Sequence, residues 1–161
     1  MADHTPITSL RDGTEVSAWL FKANPEVWDV LRHVDQGGAI DRWRMVPSYR
    51  VEFVQPGQRC VLWVTGAHSA SHVPGVWAIG ETTSDAYDDL SDHEDLWLDD
   101  GTAHQVRPYV DLEMEILDEP ISRMTLAADP DFREAEILRV PRAPNPSGLR
   151  AREFAAIVDQ R

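Results

Sequence analysis

Apolar and polar positions along this chain fall into a two-residue period more often than a 3.6-residue one. From Arg59 to Thr65, Cys60, Leu62 and Val64 alternate with Val61, Trp63 and Thr65, which predicts a strand. Gly75 to Glu81, carrying Val76, Trp77 and Ile79, predicts another. Val106, Pro108, Val110, Leu112, Met114 and Ile116 fill one face of a long alternating run, with Arg107, Tyr109, Asp111, Glu113 and Glu115 on the other. Tyr49, Val51 and Phe53 alternate with Arg50 and Glu52 and read as a further strand, and so do residues 17–22 and 121–126. Gln55-Pro56-Gly57-Gln58 is a turn signal. Residues 39–47, with Trp43, read as an irregular connection ending near Pro47.

Helical signals are few. Asn24 has the side chain of a strong N-cap and Pro25 suits the first helical position, so a helix is predicted over about residues 25–36, through Trp28, Leu31 and Arg32, ending at Gly37-Gly38. Asp129-Pro130 repeats the cap-then-proline start, for a helix over roughly 130–138. Asn145-Pro146 repeats it again before a final helix with Leu149, Phe154, Ile157 and Val158 as its apolar stripe. Five or six strands with three short helices predict an α+β domain on a curled, mostly antiparallel sheet or small barrel.

One junction stands out. Trp19-Leu20-Phe21-Lys22-Ala23-Asn24-Pro25 runs an apolar strand directly into the predicted cap. That places Lys22 and Asn24 at the mouth of the sheet, beside the positive end of a helix dipole, where a ligand is expected.

Length and charge narrow the picture. The 161 residues fit one domain over 17–161, behind a loose polar segment 1–16, with an acidic insertion near 84–101. The N-terminus has no signal-peptide pattern and no apolar run is long enough to span a bilayer, so a cytoplasmic protein with no membrane contact is expected. The single cysteine, Cys60, excludes an internal disulfide and reads as a small buried hydrophobe. The net charge of −13 argues against a general nucleic-acid binder. Yet residues 81–119 hold 14 of the 28 acidic residues against Arg107 alone, so the remainder sums to zero. An Arg-bearing face can therefore coexist with an acidic one. The acidic stretch itself reads as a solvated excursion, with Trp97-Leu98 as its tie to the body.

Most enzyme signatures are missing. There is no nucleophile elbow, phosphate loop or dinucleotide fingerprint, and His68 and His72 lie in a small-residue loop, where metal spacing has little meaning. No metal or cofactor is expected. Tryptophans remain: Trp19, Trp43, Trp63 and Trp77 cluster in or beside the first strands. An indole offers a face on which a nucleobase gains roughly 1–3 kcal/mol by stacking. Core packing is the competing role for each of them.

The Trp19-to-Pro25 run resembles the opening strand of EVE domains, members of the PUA-like superfamily related to YTH and ASCH domains. Trp43 follows the first helix as a tryptophan does in those relatives. Residues 56–66, Pro-Gly-Gln-Arg-Cys-Val-Leu-Trp-Val-Thr-Gly, resemble the family's glycine-aspartate, apolar, aromatic, serine-glycine strand, with Gln58 in place of the aspartate. Residues 75–81, Gly-Val-Trp-Ala-Ile-Gly-Glu, resemble its glycine-valine-x-glycine-x-glycine-glutamate strand. Leu126, Pro130, Ile137-Leu138-Arg139 and the Leu149-to-Ile157 helix complete the order, so that the resemblance spans roughly residues 17–158.

This resemblance implies a PUA-like β-barrel with flanking short helices and a pocket for a modified base of DNA or RNA. It implies Trp43 as a stacking wall, Asn24 as a hydrogen-bond partner of the base edge, and Trp19, Lys22, Trp63 and Thr65 in the lining, with Gly66 and Trp77 beside them. Arg44, next to Trp43, is added as a phosphate contact on chemical grounds. The expected function is a non-catalytic module that reads a modified base. Two rivals stand beside it: a hydrolase of a modified nucleoside or small molecule using Lys22 and Glu81, and an acidic module that binds a basic protein through residues 84–100.

Overall fold

The computed structural model describes residues 6–70, 72–90, 96–98, 105–140 and 142–161. Strands β3 (Ala18–Ala23), β4 (Arg42–Arg44), β5 (Arg59–Val64), β6 (Gly75–Thr82), β7 (Tyr87–Asp89), β8 (Arg107–Ser122) and β9 (Ser147–Leu149) form one sheet. Its order is β4-β8-β6-β5-β3-β9, with β7 also paired to β8. The β3–β5 pair is parallel and the other pairs are antiparallel, so the sheet is mixed. The fold is α+β, a curled sheet forming a half-barrel with a few short helices. The curl brings β4, one end of the path, back to β3: the Trp43 indole Nε1 donates to the Lys22 carbonyl at 3.1 Å.

Two apolar layers follow from strand alternation. Trp19, Phe21, Cys60, Leu62, Val64, Ala78, Val110 and Leu112 share one cluster with Trp43 and Met45. Leu20, Val61, Trp63, Val76 and Ile121 share the other with Leu126, Phe132 and Ile157, which lie on or near the helices α2 (Arg123–Ala128) and α4 (Ala151–Asp159). Close strand packing decides one glycine: a Cβ on Gly80 would lie 2.0 Å from the Glu113 carbonyl oxygen.

Several elements differ from the sequence expectation. Residues 6–16 are not loose. β1 (Thr8–Ser9) pairs with β2 (Glu15–Val16), and Leu10 and Val16 are buried in the first cluster. Asn24 caps only a turn, its Oδ1 accepting from Glu26 N–H at 3.0 Å. The first helix, α1 (Val30–Asp35), starts later, with Asp29 as its cap. The backbone between them is diverted: Asp29 N–H donates to the Leu96 carbonyl and Leu98 N–H to the Val27 carbonyl. The positive helix end therefore does not sit at Asn24. Trp43 lies in a strand rather than an irregular connection.

Tyr49–Phe53 is a 3-10 helix capped by the Ser48 hydroxyl. That geometry turns Arg50 inward onto Glu136, through paired bonds of 2.8 and 2.7 Å. Ser122 caps α2, accepting from Thr125 N–H, so β8 absorbs residues 121 and 122 and residues 123–126 are helical rather than a strand. Residues 130–134 are turns, and only α3 (Glu136–Arg139) is helical there. Asn145-Pro146 precedes β9, and the last helix instead starts after Arg150, whose backbone N–H donates to the buried Glu153.

The acidic stretch is partly built in. Residues 87–89 are a sheet strand, and Leu96 is buried. Residues 91–95 and 99–101 of the expected acidic insertion lie outside the described residues. No described helix is long and apolar enough to cross a membrane.

Candidate functional site

A cavity of about 700 Å³ opens at the C-terminal end of β3. Its walls come from residues 22–28, His33 of α1, the 39–48 segment through β4, Trp97, residues 105–109 and residues 142–145. Trp28, Trp43, Trp97 and Tyr109 are among the lining residues. The Trp28 and Trp43 rings meet edge to face, with centroids 5.5 Å apart at 85°. Trp28 also meets the His33 ring, 5.1 Å away. The Arg44 guanidinium lies 4.9 Å from the centre of the Trp97 ring. The ring-rich wall is fixed by backbone bonds, because Trp97 sits between Leu96 and Leu98, which both pair with residues 27–29.

Asn145 ties the far wall to the sheet. Its Oδ1 accepts from Lys22 N–H at 3.0 Å, and its Nδ2 donates to the carbonyls of Lys22 and Arg44 at 3.1 and 3.3 Å. The Lys22 ammonium donates to the Ala143 carbonyl at 2.5 Å. Burial holds that ammonium below the usual lysine pKa, and burial likewise lowers the Arg44 guanidinium.

The charge of the lining reverses that of the chain. Lys22, Arg42, Arg44, Arg107 and Arg142 line the cavity, against Asp41 as the one carboxylate among the described residues. Arg42 pairs with Asp89 at 3.0 Å and lies over the Tyr109 ring at 4.0 Å. Arg107 donates to the neutral Gln105 amide oxygen at 2.6 Å. A chain of net charge −13 thus gathers five cations around one opening. Among the described residues no cluster of three metal-ligating side chains occurs.

Of the residues singled out by sequence, Lys22, Asn24, Trp43 and Arg44 line this cavity. The structure places the other five elsewhere. Trp19 is fully buried in the first cluster, and its indole donates to Gln58 at the opposite end of β3. Trp63 faces the helical side, stacked on Phe132 with centroids 6.0 Å apart and planes at 8°. Thr65 clasps the Ala23 carbonyl through its backbone N–H at 2.9 Å and its hydroxyl at 3.3 Å. Gly66 has φ +118° and lies against the His72 ring, which would sit 2.8 Å from a Cβ there. Trp77 occupies a bulge of β6 and donates to the Val73 carbonyl at 2.7 Å. Strand alternation decides this sorting: Trp19 and Trp63 point to opposite faces of the sheet, and neither face is open where they lie.

Trp28, Trp97, Tyr109 and Asn145 were not singled out as site residues. Trp97 carried a signal, an apolar pair inside an acidic run. Tyr109 is a buried aromatic in the otherwise charged face of β8. Asn145 carried none, because its role depends on strands more than a hundred residues away. The candidate pair Lys22 and Glu81 is not assembled. Lys22 pairs with Trp63 on β5, whereas Glu81 pairs with Arg59, four residues along that strand or about 13 Å.

A family model for the EVE domain matches residues 17–159. The chain belongs to the EVE domain family. No curated protein is a significant sequence match. Solved structures share the EVE fold at low identity. A hypothetical protein from Leishmania major superposes with a TM-score of 0.59 at 18% identity, covering 90% of this chain and 94% of that one. A Rhodopseudomonas palustris protein solved by NMR gives 0.59 at 20% identity, covering 89% and 92%. Human THYN1, solved in complex with DNA containing 5-methylcytosine, gives 0.58 at 14% identity, covering 89% and 96%. These likenesses establish the fold, a half-barrel with short flanking helices.

Proposed function

We propose that this EVE domain binds DNA through a modified cytosine that enters the cavity beside Trp43. The observation that carries the reading is the lining itself: aromatic side chains and five cations around one opening in an acidic chain. Indole and phenol faces favour a flat heterocycle, and cations favour the phosphates that flank it. THYN1, of the same fold, was solved with 5-methylcytosine DNA, which makes that base the first probe. The Asn24 side-chain amide and the Asp41 carboxylate offer a donor and an acceptor for the base edge. No group in this account reacts, so the domain acts by binding.

The test is a titration of the full chain with short oligonucleotides carrying 5-methylcytosine or cytosine, read by tryptophan quenching and by anisotropy of a labelled strand. The modified strand is expected to bind more tightly, and Trp97→Ala and Trp43→Phe are expected to remove the preference while thermal unfolding shows a folded protein. Equal binding of both strands, or a preference that survives both substitutions, overturns the reading.

A further inference from the structure

We infer that Val46 is a wedge, which enters the base stack of a double helix at the step from which the modified base is withdrawn. The ligand is then duplex rather than single-stranded nucleic acid. This rests on the reading that a base enters the cavity.

Val46 lines the cavity and is 57% exposed. Leu98, 59% exposed, is the sequence neighbour of the lining residue Trp97, and Val106, 57% exposed, lies between the lining residues Gln105 and Arg107. An exposed apolar side chain in the lining itself, with two more next to lining residues in the chain, suits a surface that is covered in use. Charge identifies what covers it, because Arg44 and Arg107 line the same opening and favour a polyanion.

The backbone under Val46 is held on both sides. Met45, buried, donates to the Pro108 carbonyl at 2.8 Å, and Val46 N–H donates to the Asn145 carbonyl at 2.9 Å. Pro47 restricts the next φ, and Ser48 then caps the 3-10 helix. Branching at Cβ limits the side chain to few rotamers. Val46 is thus presented to solvent in one position and has no route into the core.

A rigid, exposed apolar side chain in the lining of a base-sized cavity that also carries cations matches what extrusion of a base requires. Withdrawing a base unstacks it at a cost of about a few kcal/mol, and an apolar group placed in the gap offsets that cost. The arginines hold the phosphates on either side of the gap. A single strand presents no paired stack to hold open, so the wedge gives it little.

The experiment compares wild type, Val46→Ala and Val46→Leu against one 5-methylcytosine sequence, as duplex and as single strand. A 2-aminopurine beside the modified base reports unstacking. Val46→Ala is expected to weaken duplex binding about tenfold, to leave single-strand binding within about twofold, and to reduce the 2-aminopurine signal, with Val46→Leu restoring both. An equal loss on both forms, or no loss on duplex, overturns the wedge. A wild type that does not distinguish 5-methylcytosine from cytosine in either form is a separate failure. It overturns the base-reading proposal before any variant is made, and the wedge with it.

Discussion

Trp63 and Trp43 are both sheet tryptophans and both are buried, at 2% and 9% exposure. They differ in what lies across from the ring. Trp63 meets Phe132 face to face, and the helical layer closes over it. Trp43 meets Trp28 edge to face, and a cavity of about 700 Å³ lies beside it. Burial therefore does not distinguish a core tryptophan from one at a site. What distinguishes them is whether the chain supplies a partner for the exposed part of the ring or leaves that space unfilled. In this fold the side packed by helices is filled, and the end of β3 is left open.

The strongest way to break that contrast is to remove the filled side's partners. Trp63→Ala is expected to lower unfolding free energy by about 3–5 kcal/mol, measured by chemical denaturation, with base preference unchanged in whatever fraction stays folded. A loss of binding with no loss of stability would show that Trp63 belongs to the site after all.

The Arg50–Glu136 pair, which ties the 3-10 helix to α3, comes next. Glu136→Gln leaves a buried guanidinium without its anion and is expected to cost about 3 kcal/mol at neutral pH. Burial alone would raise the Glu136 pKa, but hydrogen bonds from Arg50 and Gly148 N–H outweigh it and hold the carboxyl below its usual value. A depressed folded pKa gives stability that is present above the unfolded value of about 4.3 and is lost as pH falls through the folded one. The gap between wild type and Glu136→Gln should accordingly narrow below about pH 4, and a gap independent of pH would refute the pairing as its source.

On the open side, Trp97→Ala is expected to weaken binding of the modified strand about tenfold, with a stability change under about 1 kcal/mol. A collapse of stability would make Trp97 a core residue and erase the comparison. The smallest effect expected is on Cys60. Burial, reinforced by the charge of Glu81, pushes its thiol up to about 12, so thiol reagents should label it only at the rate of unfolding. Prompt labelling of the folded chain would show that the first cluster opens.

Which parts were legible in the sequence follows the same division. β5, β6 and most of β8 were readable, because their apolar sets alternate over six residues or more. Tyr49–Phe53 was not, since a short alternating run also fits a 3-10 helix once Ser48 caps it. Asn24 and Asp29 are both good caps, and the choice between them was made by Leu96 and Leu98, which pair with the backbone in between. Half of the site was readable for a related reason. Lys22 and Asn24 lie at the end of a strand that its local pattern locates, whereas Trp43 came from the family resemblance and Arg44 from its place beside it, their own strand β4 being too short to show a period. Trp97 and Asn145 reach the cavity through pairings between distant segments, which no local pattern contains.

The uneven charge has a consequence for how such a chain meets a polyanion. The net charge of −13 repels a polyanion, while the five cations of the cavity lining attract it. Encounters in other orientations therefore end without a complex, and little of the chain is held in unproductive contact along a strand. Searching then proceeds by repeated collision from solution rather than by sliding, and association depends only weakly on salt, with a log–log slope no steeper than about −3 for the few phosphates the mouth can hold.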